Sequence, residues 1–540
     1  MRRVFFGTCL FLVAFLAAAS CSDELRFYLR SEPKTFNPAL VADDSSETVR
    51  YLTGGVLLRL NRQSQNLQPE LAQAWTVSRD GRTITFTLRK NVRFSDGTPF
   101  SALDVKYTME QLMDPALHSP TGDAFRSSSG RMIVTVLGPD KVAITFPAPV
   151  AGLAALFDQV AIVSSQSARH EMASLGPFYI AEHKPGSYVY LRRNPNYWKH
   201  DVSGRQLPYL DSIKLEIQSN RDIEFLRFTR NEIHLINSMD ADYFDRLALS
   251  APAKVRDAGP SLDSEQMWFN QVPTAPIPAY KREWFRSRSF RLAISSGISR
   301  DDLCKVVFKG HATPARGPVS PANKFWFNAR LQPVPLDTKR ALQLLEQDGF
   351  RLSSGKLYDR AGHPVEFSIV TNAGNRAREA MATMIQQDLR AAGITVNVVT
   401  LDFPSLIQRI SKSFDYEAAL LGLVNDELDP NAQMNVWLSS SEEHQWNPQQ
   451  SAPATPWEAE IDQLMRAQAS SMQDATRKKY YDRVQKIVAD EAPFIYLVNK
   501  NALTGITPTV QGARPVPLRP QTFWNIEYLK LADERAGSGN

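Results

Sequence analysis

Apolar runs of strand length alternate with helical patterns between residues 365 and 424, and this alternation constrains the fold more than any other feature of the chain. The last run, residues 418–424 (AALLGLV), has no polar side chain, which is typical of a strand covered by helices on both faces. Right-handed connections make the strands of β-α-β units parallel, so the sequence predicts an α/β fold here. The predicted strands are residues 365–371, 394–401 and 418–424, and the predicted helices are residues 377–392 and 404–410.

Polar residues stand at or just after the carboxyl end of each predicted strand. Asn372, Asp402 and Asp426 occupy these positions. Parallel strands end at one edge of a sheet, and ligands bind at that edge in open α/β sheets, so we expect these side chains to converge there. Arg378, in the first turn of the following helix, is expected to face solvent.

Three carboxylates, those of Asp426, Glu427 and Asp429, follow the 418–424 strand directly. Acids that are partly shielded from water at a strand end would favour a cationic group. Asp429 precedes Pro430 and is interpreted as a turn residue. For Asp426, a ligand-binding acid and a solvated loop acid both stay open on the residues alone.

The first 20 residues predict a secretory signal. Two arginines precede an apolar run at residues 4–19, which is too short for a comfortable membrane span. Small residues precede Cys21, as in bacterial lipoprotein cleavage sites, so we expect Cys21 to be lipidated. Cleavage after the Ala-x-Ala pattern at residues 17–19 would instead give a soluble form. The expected location is the periplasm or the extracytoplasmic face of a bacterial membrane.

Composition and motifs exclude several classes of function. The 62 basic and 57 acidic residues nearly balance, which argues against a nucleic-acid partner. Phosphate-loop and nucleophile-elbow motifs do not occur, and His170-Glu171 begins like a zinc motif but position 174 is serine. The sequence therefore predicts no cofactor, no metal and no enzymatic activity. Cys9 belongs to the predicted signal and Cys21 is expected to carry a lipid. Cys304 is then left without a cysteine partner and is expected to form no disulfide.

The rest of the chain predicts further strands and helices. Alternating strand patterns at residues 56–94 and 142–146 flank a helix that starts with capping-box spacing at Ser101 and Asp104. A helix at residues 475–490 would turn Tyr480 inward. Trp268 could face a cleft or pack in a core, and the same alternatives hold for Met434 and Trp437.

Several motifs resemble those of the family 5 extracellular solute-binding proteins, which serve peptide and nickel ABC importers. The resemblance covers essentially all of the mature chain. The motifs are residues 67–75 (LQPELAQAW), 80–81 (DG), 85–90 (TFTLRK), 94–100 (FSDGTPF), 176–179 (GPFY), 193–198 (RNPNYW), 290–294 (FRLAI) and 299–300 (SR).

The resemblance implies a three-lobed periplasmic binding protein of the class II type, an α/β fold with mixed sheets and a hinge between lobes. Lobe I would be discontinuous, lobe II β-rich and lobe III α/β. Ligand would be enclosed between lobes I and III. After a signal at residues 1–20, lobe I would comprise residues 21–46, 172–266 and 500–540 with the tail, lobe II residues 47–171, and lobe III residues 267–499.

The resemblance also implies site residues. Asp426 corresponds to the aspartate that holds the ligand's α-ammonium in peptide-binding members, and the strand before it would offer backbone groups to the peptide. Dipeptide-specific members place an arginine near position 372, where this chain has Asn372, which favours longer peptides. With Trp268 added from the interpretation of the residues, the predicted peptide-binding residues are Asp426, Gly422, Leu423, Val424, Asn237, Asn372, Trp268 and Asp44.

The predicted function is the extracytoplasmic solute-binding component of an ABC importer that binds peptides, with oligopeptides favoured. Its partners would be a peptide, an ABC permease with its ATPase subunits, and the membrane through a lipid on Cys21, and a monomer is expected. A nickel chelate, haem, opine or sugar is an alternative ligand within the family. A secreted hydrolase is the alternative from another class.

Overall fold

The computed structural model describes residues 23–123, 125, 130–167, 172–423 and 427–532. The predicted signal and Cys21 lie outside the described residues. So do Val424 and Asp426.

A mixed sheet of eleven strands extends through the described part of the chain. The three strands of the predicted β-α-β-α-β unit lie at one end of it and are parallel to one another, as expected. The next strand is antiparallel to Ala418–Leu423, and this makes the sheet mixed. In order across the sheet the strands are Thr395–Leu401, Glu366–Asn372, Ala418–Leu423, Val255–Phe269, Phe494–Ile506, Leu235–Ile236, Glu24–Leu29, Ser212–Ile217, Tyr188–Arg193 and Phe178–Lys184, with Ala312–Pro314 paired to Phe494–Ile506.

Helices cover both faces of the strand Ala418–Leu423, as its apolar sequence predicts. Ala418 and Leu420 pack in one hydrophobic cluster with the helix Arg376–Arg390. Ala419 and Leu421 pack in a second cluster with two later helices, Pro456–Ser470 and Asp474–Glu491. In the last helix Tyr481, and not Tyr480, is the buried tyrosine, because its position places it on the same face as Val484 and Val488.

The predicted β-rich front block is a second sheet with its own hydrophobic cluster. The predicted capping box is present: Ser101 N donates to Asp104 Oδ2 over 2.7 Å, and the helix Ala102–Leu112 follows. The strands of this sheet are Ala72–Val77, Thr83–Leu88, Lys141–Thr145 and Ile133–Gly138, and three two-stranded sheets pair Leu58–Leu60 with Leu67–Pro69, Arg351–Ser353 with Lys356–Tyr358, and Val510–Gln511 with Lys530–Leu531.

The names lobe I, lobe II and lobe III stand for the predicted ranges. The helix Asp44–Thr53 of the predicted lobe II packs through Val49 and Leu52 with residues of the predicted lobe I. The exact lobe limits stay a prediction. The helices are Asp44–Thr53, Ala102–Leu112, Pro120–Asp123, Arg221–Thr229, Ala241–Ser250, Ala279–Arg286, Arg288–Ser296, Arg300–Asp302, Thr338–Gln347, Arg376–Arg390, Phe403–Gln408, Met434–Trp437, Pro456–Ser470 and Asp474–Glu491.

Two long antiparallel strands, Val255–Phe269 and Phe494–Ile506, connect lobe I to lobe III. Their lobe III ends contribute Met267 and Ile495 to one core, and their lobe I ends contribute Val255 and Leu503 to another. Pairing between them is irregular from Asp257 to Gln266. The connection is therefore a continuous ladder at both ends with an irregular segment between the lobes.

His311 of lobe III lies beside this connection, between two carboxylates of lobe I. Its Nε2 is 2.9 Å from Asp245 Oδ1 and its Nδ1 is 3.0 Å from Asp257 Oδ2. Lys309, nearby, pairs with Asp242 at 2.5 Å and lies 4.0 Å from Asp245. Burial lowers the pKa of His311, but the hydrogen bonds and charges of Asp245 and Asp257 outweigh it and raise the pKa above its ordinary value of 6.5.

We expect His311→Gln to destabilise the protein more in acid than in alkali. A raised folded-state pKa means that the imidazolium stabilises the fold fully below the unfolded pKa, and that this stabilisation is lost as pH rises through the folded pKa. Urea unfolding at about pH 5.5 and about pH 8.5 measures the difference. His200→Gln, at an exposed histidine, is the matched control. An equal loss at both pH values would contradict the expectation.

Candidate functional site

The candidate site is the carboxyl end of the strand Ala418–Leu423, which we call the ligand strand. Val255–Phe269 pairs along its whole length on one side, up to Ser264 opposite Leu423. On the other side Glu366–Asn372 pairs only with Ala418 and Ala419. Within the described residues, the last residues of the ligand strand therefore have one edge without a neighbouring strand.

Gly422 and Leu423, both predicted peptide contacts, lie half-buried on this partly open edge. Asn372 ends the neighbouring parallel strand at the same edge of the sheet, as predicted. Asp402 also lies there and caps the next helix, because its Oδ1 accepts a 3.0 Å hydrogen bond from Ser405 N. Val424 and Asp426 lie outside the described residues, so their roles stay predictions.

A buried ion cluster lies directly beneath the ligand strand. Glu265, with 3% of its side chain exposed, binds Arg378 Nε at 2.8 Å and Lys500 Nζ at 3.0 Å. Arg378 Nη1 also donates to Asn372 Oδ1 over 2.9 Å. The expectation that Arg378 faces solvent is wrong, since its side chain is 13% exposed: as a first-turn residue it points back toward the strand end.

Electrostatics within this cluster keep Glu265 ionised. Burial raises the pKa of Glu265, but the positive charges of Lys500 and Arg378 outweigh burial and hold the pKa below its ordinary value. A buried carboxylate with two cations leaves the cluster one charge positive. The carboxylate of Glu265 accepts hydrogen bonds from both Nε and Nη2 of the Arg378 guanidinium.

Gly422 is required for this cluster to lie against the strand. A Cβ at this position would come within 2.5 Å of Arg378 Nη2 and 2.9 Å of Glu265 Oε1. Any larger residue would push the two charged groups apart. The glycine of the ligand strand therefore has a packing role as well as an open backbone.

The two described acids after the ligand strand already have protein partners. Asp429 binds Arg477 through two contacts of 2.8 and 2.6 Å and accepts a hydrogen bond from Asn431 N, which confirms its interpretation as a turn residue. Glu427 Oε1 accepts a 3.0 Å hydrogen bond from Gln159 Nε2 of lobe II. Asp426, between the ligand strand and these acids, is the remaining candidate for a ligand's ammonium group.

Two predicted residues lie in lobe I. Asn237 Oδ1 accepts hydrogen bonds from Thr522 N and Thr522 Oγ1, both at 3.0 Å, which fix the amide after the strand Leu235–Ile236. Asp44 begins the helix Asp44–Thr53, and its side chain is 95% exposed with Arg519 Nη1 at 3.9 Å. An exposed pair at this distance holds the carboxylate only weakly.

Trp268 lies inside the core of lobe III. Its indole N–H donates to the Tyr416 hydroxyl over 3.1 Å, and its ring meets Phe494 edge-on with centroids 5.6 Å apart. Only 2% of the residue is exposed, so Trp268 packs in the core and does not face a cleft. Trp437 and Met434 pack in the same cluster, as the core alternative predicts.

Lobe II reaches lobe III beside the site. Gln65 Oε1 accepts a 3.0 Å hydrogen bond from Lys324 N, and Lys324 Nζ donates to Gln63 O over 2.9 Å. Leu60 and Leu428 pack against a small hydrophobic cluster of Leu262, Ala322 and Leu518. The lobes therefore touch around the loop that follows the ligand strand.

Sequence reasoning missed Glu265, Lys500 and Arg477. Arg378 alone had a usable signal, since a first-turn residue six positions after a strand end lies close to that end. The described residues hold no group of three or more His, Cys, Asp or Glu side chains arranged for a metal ion. None of the described helices combines the length and apolarity needed to cross a membrane.

Known proteins resemble this chain over nearly all its length. The probable ABC transporter-binding protein of Deinococcus radiodurans is 26% identical over 530 residues, which cover 89% of this chain and 87% of that protein. The oligopeptide-binding protein AppA of Bacillus subtilis is 23% identical over 529 residues, which cover 93% and 90% of the two chains.

Solved structures share the fold. AppA of Bacillus subtilis in complex with a nonapeptide has a TM-score of 0.71 at 21% identity, covering 94% of this chain and 99% of that chain. NikA of Brucella suis in complex with Fe(III)-EDTA has a TM-score of 0.79 at 22% identity, covering 94% and 100%. These similarities confirm the expected α/β periplasmic binding protein fold.

The family model described as bacterial extracellular solute-binding proteins, family 5 (middle), matches residues 66–445. This match spans more than half of the chain, and the motifs quoted from the sequence lie in or next to it. The protein therefore belongs to the family 5 bacterial extracellular solute-binding proteins.

Proposed function

We propose that this protein binds peptides reversibly between lobes I and III and delivers them to an ABC permease, without breaking a bond. The observation that carries the proposal is the partly open edge of the ligand strand at Gly422 and Leu423. An extended peptide can add to such an edge through its main chain, which makes recognition tolerant of peptide sequence. The Bacillus subtilis relative named as oligopeptide-binding supports this ligand class.

Asp426 would bind the α-ammonium group of the peptide. Glu427 and Asp429 have protein partners, so a cation arriving at the loop would meet the charge of Asp426. Val424 would extend the backbone contacts of Gly422 and Leu423. Asn237 and Asp44 would belong to the opposite wall.

The Glu265 cluster supports longer peptides as ligands. A dipeptide places its carboxylate close to its ammonium group and needs a free cation there. Arg378 contacts Asn372, which stands at the family position of that cation, and its guanidinium is already bound to Glu265. A peptide of several residues can place its carboxylate further away.

Closure of the lobes would occur about the irregular segment of the two long strands. Regular ladders at both ends keep each lobe rigid, and the segment from Asp257 to Gln266 can bend with little loss of hydrogen bonding. Leu60 of lobe II and Leu428 of lobe III pack against the cluster that contains Ala322, so these two lobes are already in contact in this structure.

Asp426→Asn should weaken the binding of tri-alanine by roughly 30- to 1000-fold, or ~2–4 kcal/mol, because a desolvated ammonium loses its charged partner. Isothermal titration calorimetry measures the affinity. Asp402→Asn is the matched control, since Asp402 lies exposed at the same edge of the sheet and asparagine can still cap the helix. Equal affinity of the wild type and Asp426→Asn would reject the role of Asp426.

The two ends of the peptide should contribute differently. Acetylating the amino group of a tetrapeptide should weaken binding to the wild type about as much as Asp426→Asn does, and should weaken binding to that variant little further. Amidating its carboxyl group should change affinity by less than about threefold, because Arg378, beside Asn372, is already bound to Glu265. A large loss on amidation would show that a cation does bind that carboxylate.

Chromatography of the recovered peptide checks that it is intact, since a hydrolase would return fragments.

We further propose that Cys21 is lipidated and tethers the protein to the membrane. Intact-mass measurement of protein purified from membranes should show a mature chain that begins at Cys21 with an added diacylglyceryl group. Cys21→Ser should move the protein to the soluble fraction with unchanged peptide affinity. A wild type that is soluble and unmodified would contradict the anchor.

A further inference from the structure

A cavity of about 760 Å³ lies between lobes I and II, and we call it the lobe I–II pocket. None of its described lining residues comes from lobe III, so it is separate from the ligand strand. Its volume is in the range of small-molecule binding sites. The lining comes from the end of the helix Asp44–Thr53, the hairpin of Leu58–Leu60 and Leu67–Pro69, residues 197–199 and residues 511–530.

Arg59 in the wall of this pocket has unfilled hydrogen-bonding capacity. Its Nη1 is buried without a hydrogen-bond partner, and its Nη2 reaches Gly54 O only at 3.5 Å. The nearest carboxylate oxygen, Asp158 Oδ1, is 3.9 Å away, and Asp158 forms its shorter contact, 2.9 Å, with Arg62. Nη1 itself is shielded, but the side chain of Arg59 is 17% exposed in the wall of the cavity. A guanidinium has five donors in a fork that suits a carboxylate, so a ligand carboxylate would pair with the accessible part of this fork.

The acids of the pocket already have partners. Lys199 Nζ lies 2.8 Å from Glu70 Oε1 and 3.1 Å from Glu527 Oε2, and Tyr197 also donates to Glu527. These contacts leave little to attract a cationic ligand. The charged lining consists of four cations, Arg59, Lys199, Arg514 and Lys530, against the two acids Glu70 and Glu527, so the pocket favours an anion.

Aromatic rings form much of the remaining wall. The guanidinium of Arg59 lies over the Tyr51 ring with its carbon 4.6 Å from the ring centroid. Lys530 Nζ lies 4.1 Å from the centroid of Tyr209. Rings that flank cations offer stacking surface to a flat apolar body beside a bound carboxylate. The aromatic residues of the lining are Tyr51, Tyr197, Trp198, Tyr209, Trp524 and Tyr528.

We propose that the lobe I–II pocket is a second ligand site, which binds a small aromatic carboxylate with its carboxylate on Arg59 and its ring among these aromatic side chains. The site is independent of peptide binding between lobes I and III. Its ligand would contact both lobe I and lobe II at once.

The test uses the full mature protein and two matched probes, indole-3-acetate and the neutral indole-3-acetamide, titrated by calorimetry and by ligand-observed NMR. The acid should bind at least about tenfold more tightly than the amide, because only the carboxylate pairs with Arg59. Saturation with tri-alanine should not displace the acid, and Asp426→Asn should not weaken it. These two arms separate the second site from the peptide site.

Arg59→Gln should lower the affinity for the acid about tenfold or more and leave that for the amide nearly unchanged. Arg79→Gln, at an exposed arginine of the same lobe, is the matched control. Thermal melting verifies that the variants fold. If Arg59→Gln does not fold, Lys530→Glu at the exposed rim tests the site instead. This substitution should lower the affinity for the acid severalfold, because it reverses a charge.

Four outcomes would overturn the second site. They are no binding of either probe at millimolar concentration, equal affinity for the acid and the amide, displacement of the acid by tri-alanine, and an unchanged affinity for the acid in the folded Arg59→Gln variant.

Discussion

The pairing of two long strands, Val255–Phe269 and Phe494–Ile506, supports the rest of this structure. Each strand starts in the core of one lobe and ends in the core of another, so backbone hydrogen bonds join lobes I and III directly. A ladder resists bending wherever it is regular, and here it is irregular between Asp257 and Gln266. The same pair thus fixes the lobes internally and determines where they can move relative to each other.

The ion cluster of the site depends on these strands. Glu265 comes from one of them and Lys500 from the other, while Arg378 reaches the cluster from the helix that follows the neighbouring parallel strand. Removing the Glu265 carboxylate would leave the Arg378 guanidinium, which is 13% exposed, without its counter-charge in a low-dielectric environment, which is costly. The cluster therefore couples the strand pair to the floor of the ligand strand, and Gly422 allows this close contact.

Charge in the acidic loop is distributed unevenly, and this distribution supports the proposed site. Asp429 is neutralised by Arg477, whose side chain is 1% exposed, and Glu427 contacts lobe II. Two of three adjacent carboxylates thus have structural roles. The proposed ammonium site uses the third, Asp426, which precedes these two acids in the sequence.

The sequence alone determined the parallel strands of lobe III, the capped helix of lobe II and the family, because each rests on local periodicity or on contiguous motifs. It also placed Asn372, Asp402 and the end of the ligand strand at one edge, since strand direction follows from the β-α-β order. The sequence alone did not show that Arg378 binds Glu265, or that the Trp268 side chain packs in the core of lobe III against Tyr416 and Phe494. Only the tertiary structure decided these, because Glu265 and Arg378 are 113 positions apart and Glu265 and Lys500 further still. Burial and charge pairing over such separations depend on how the lobes pack, which no local pattern encodes.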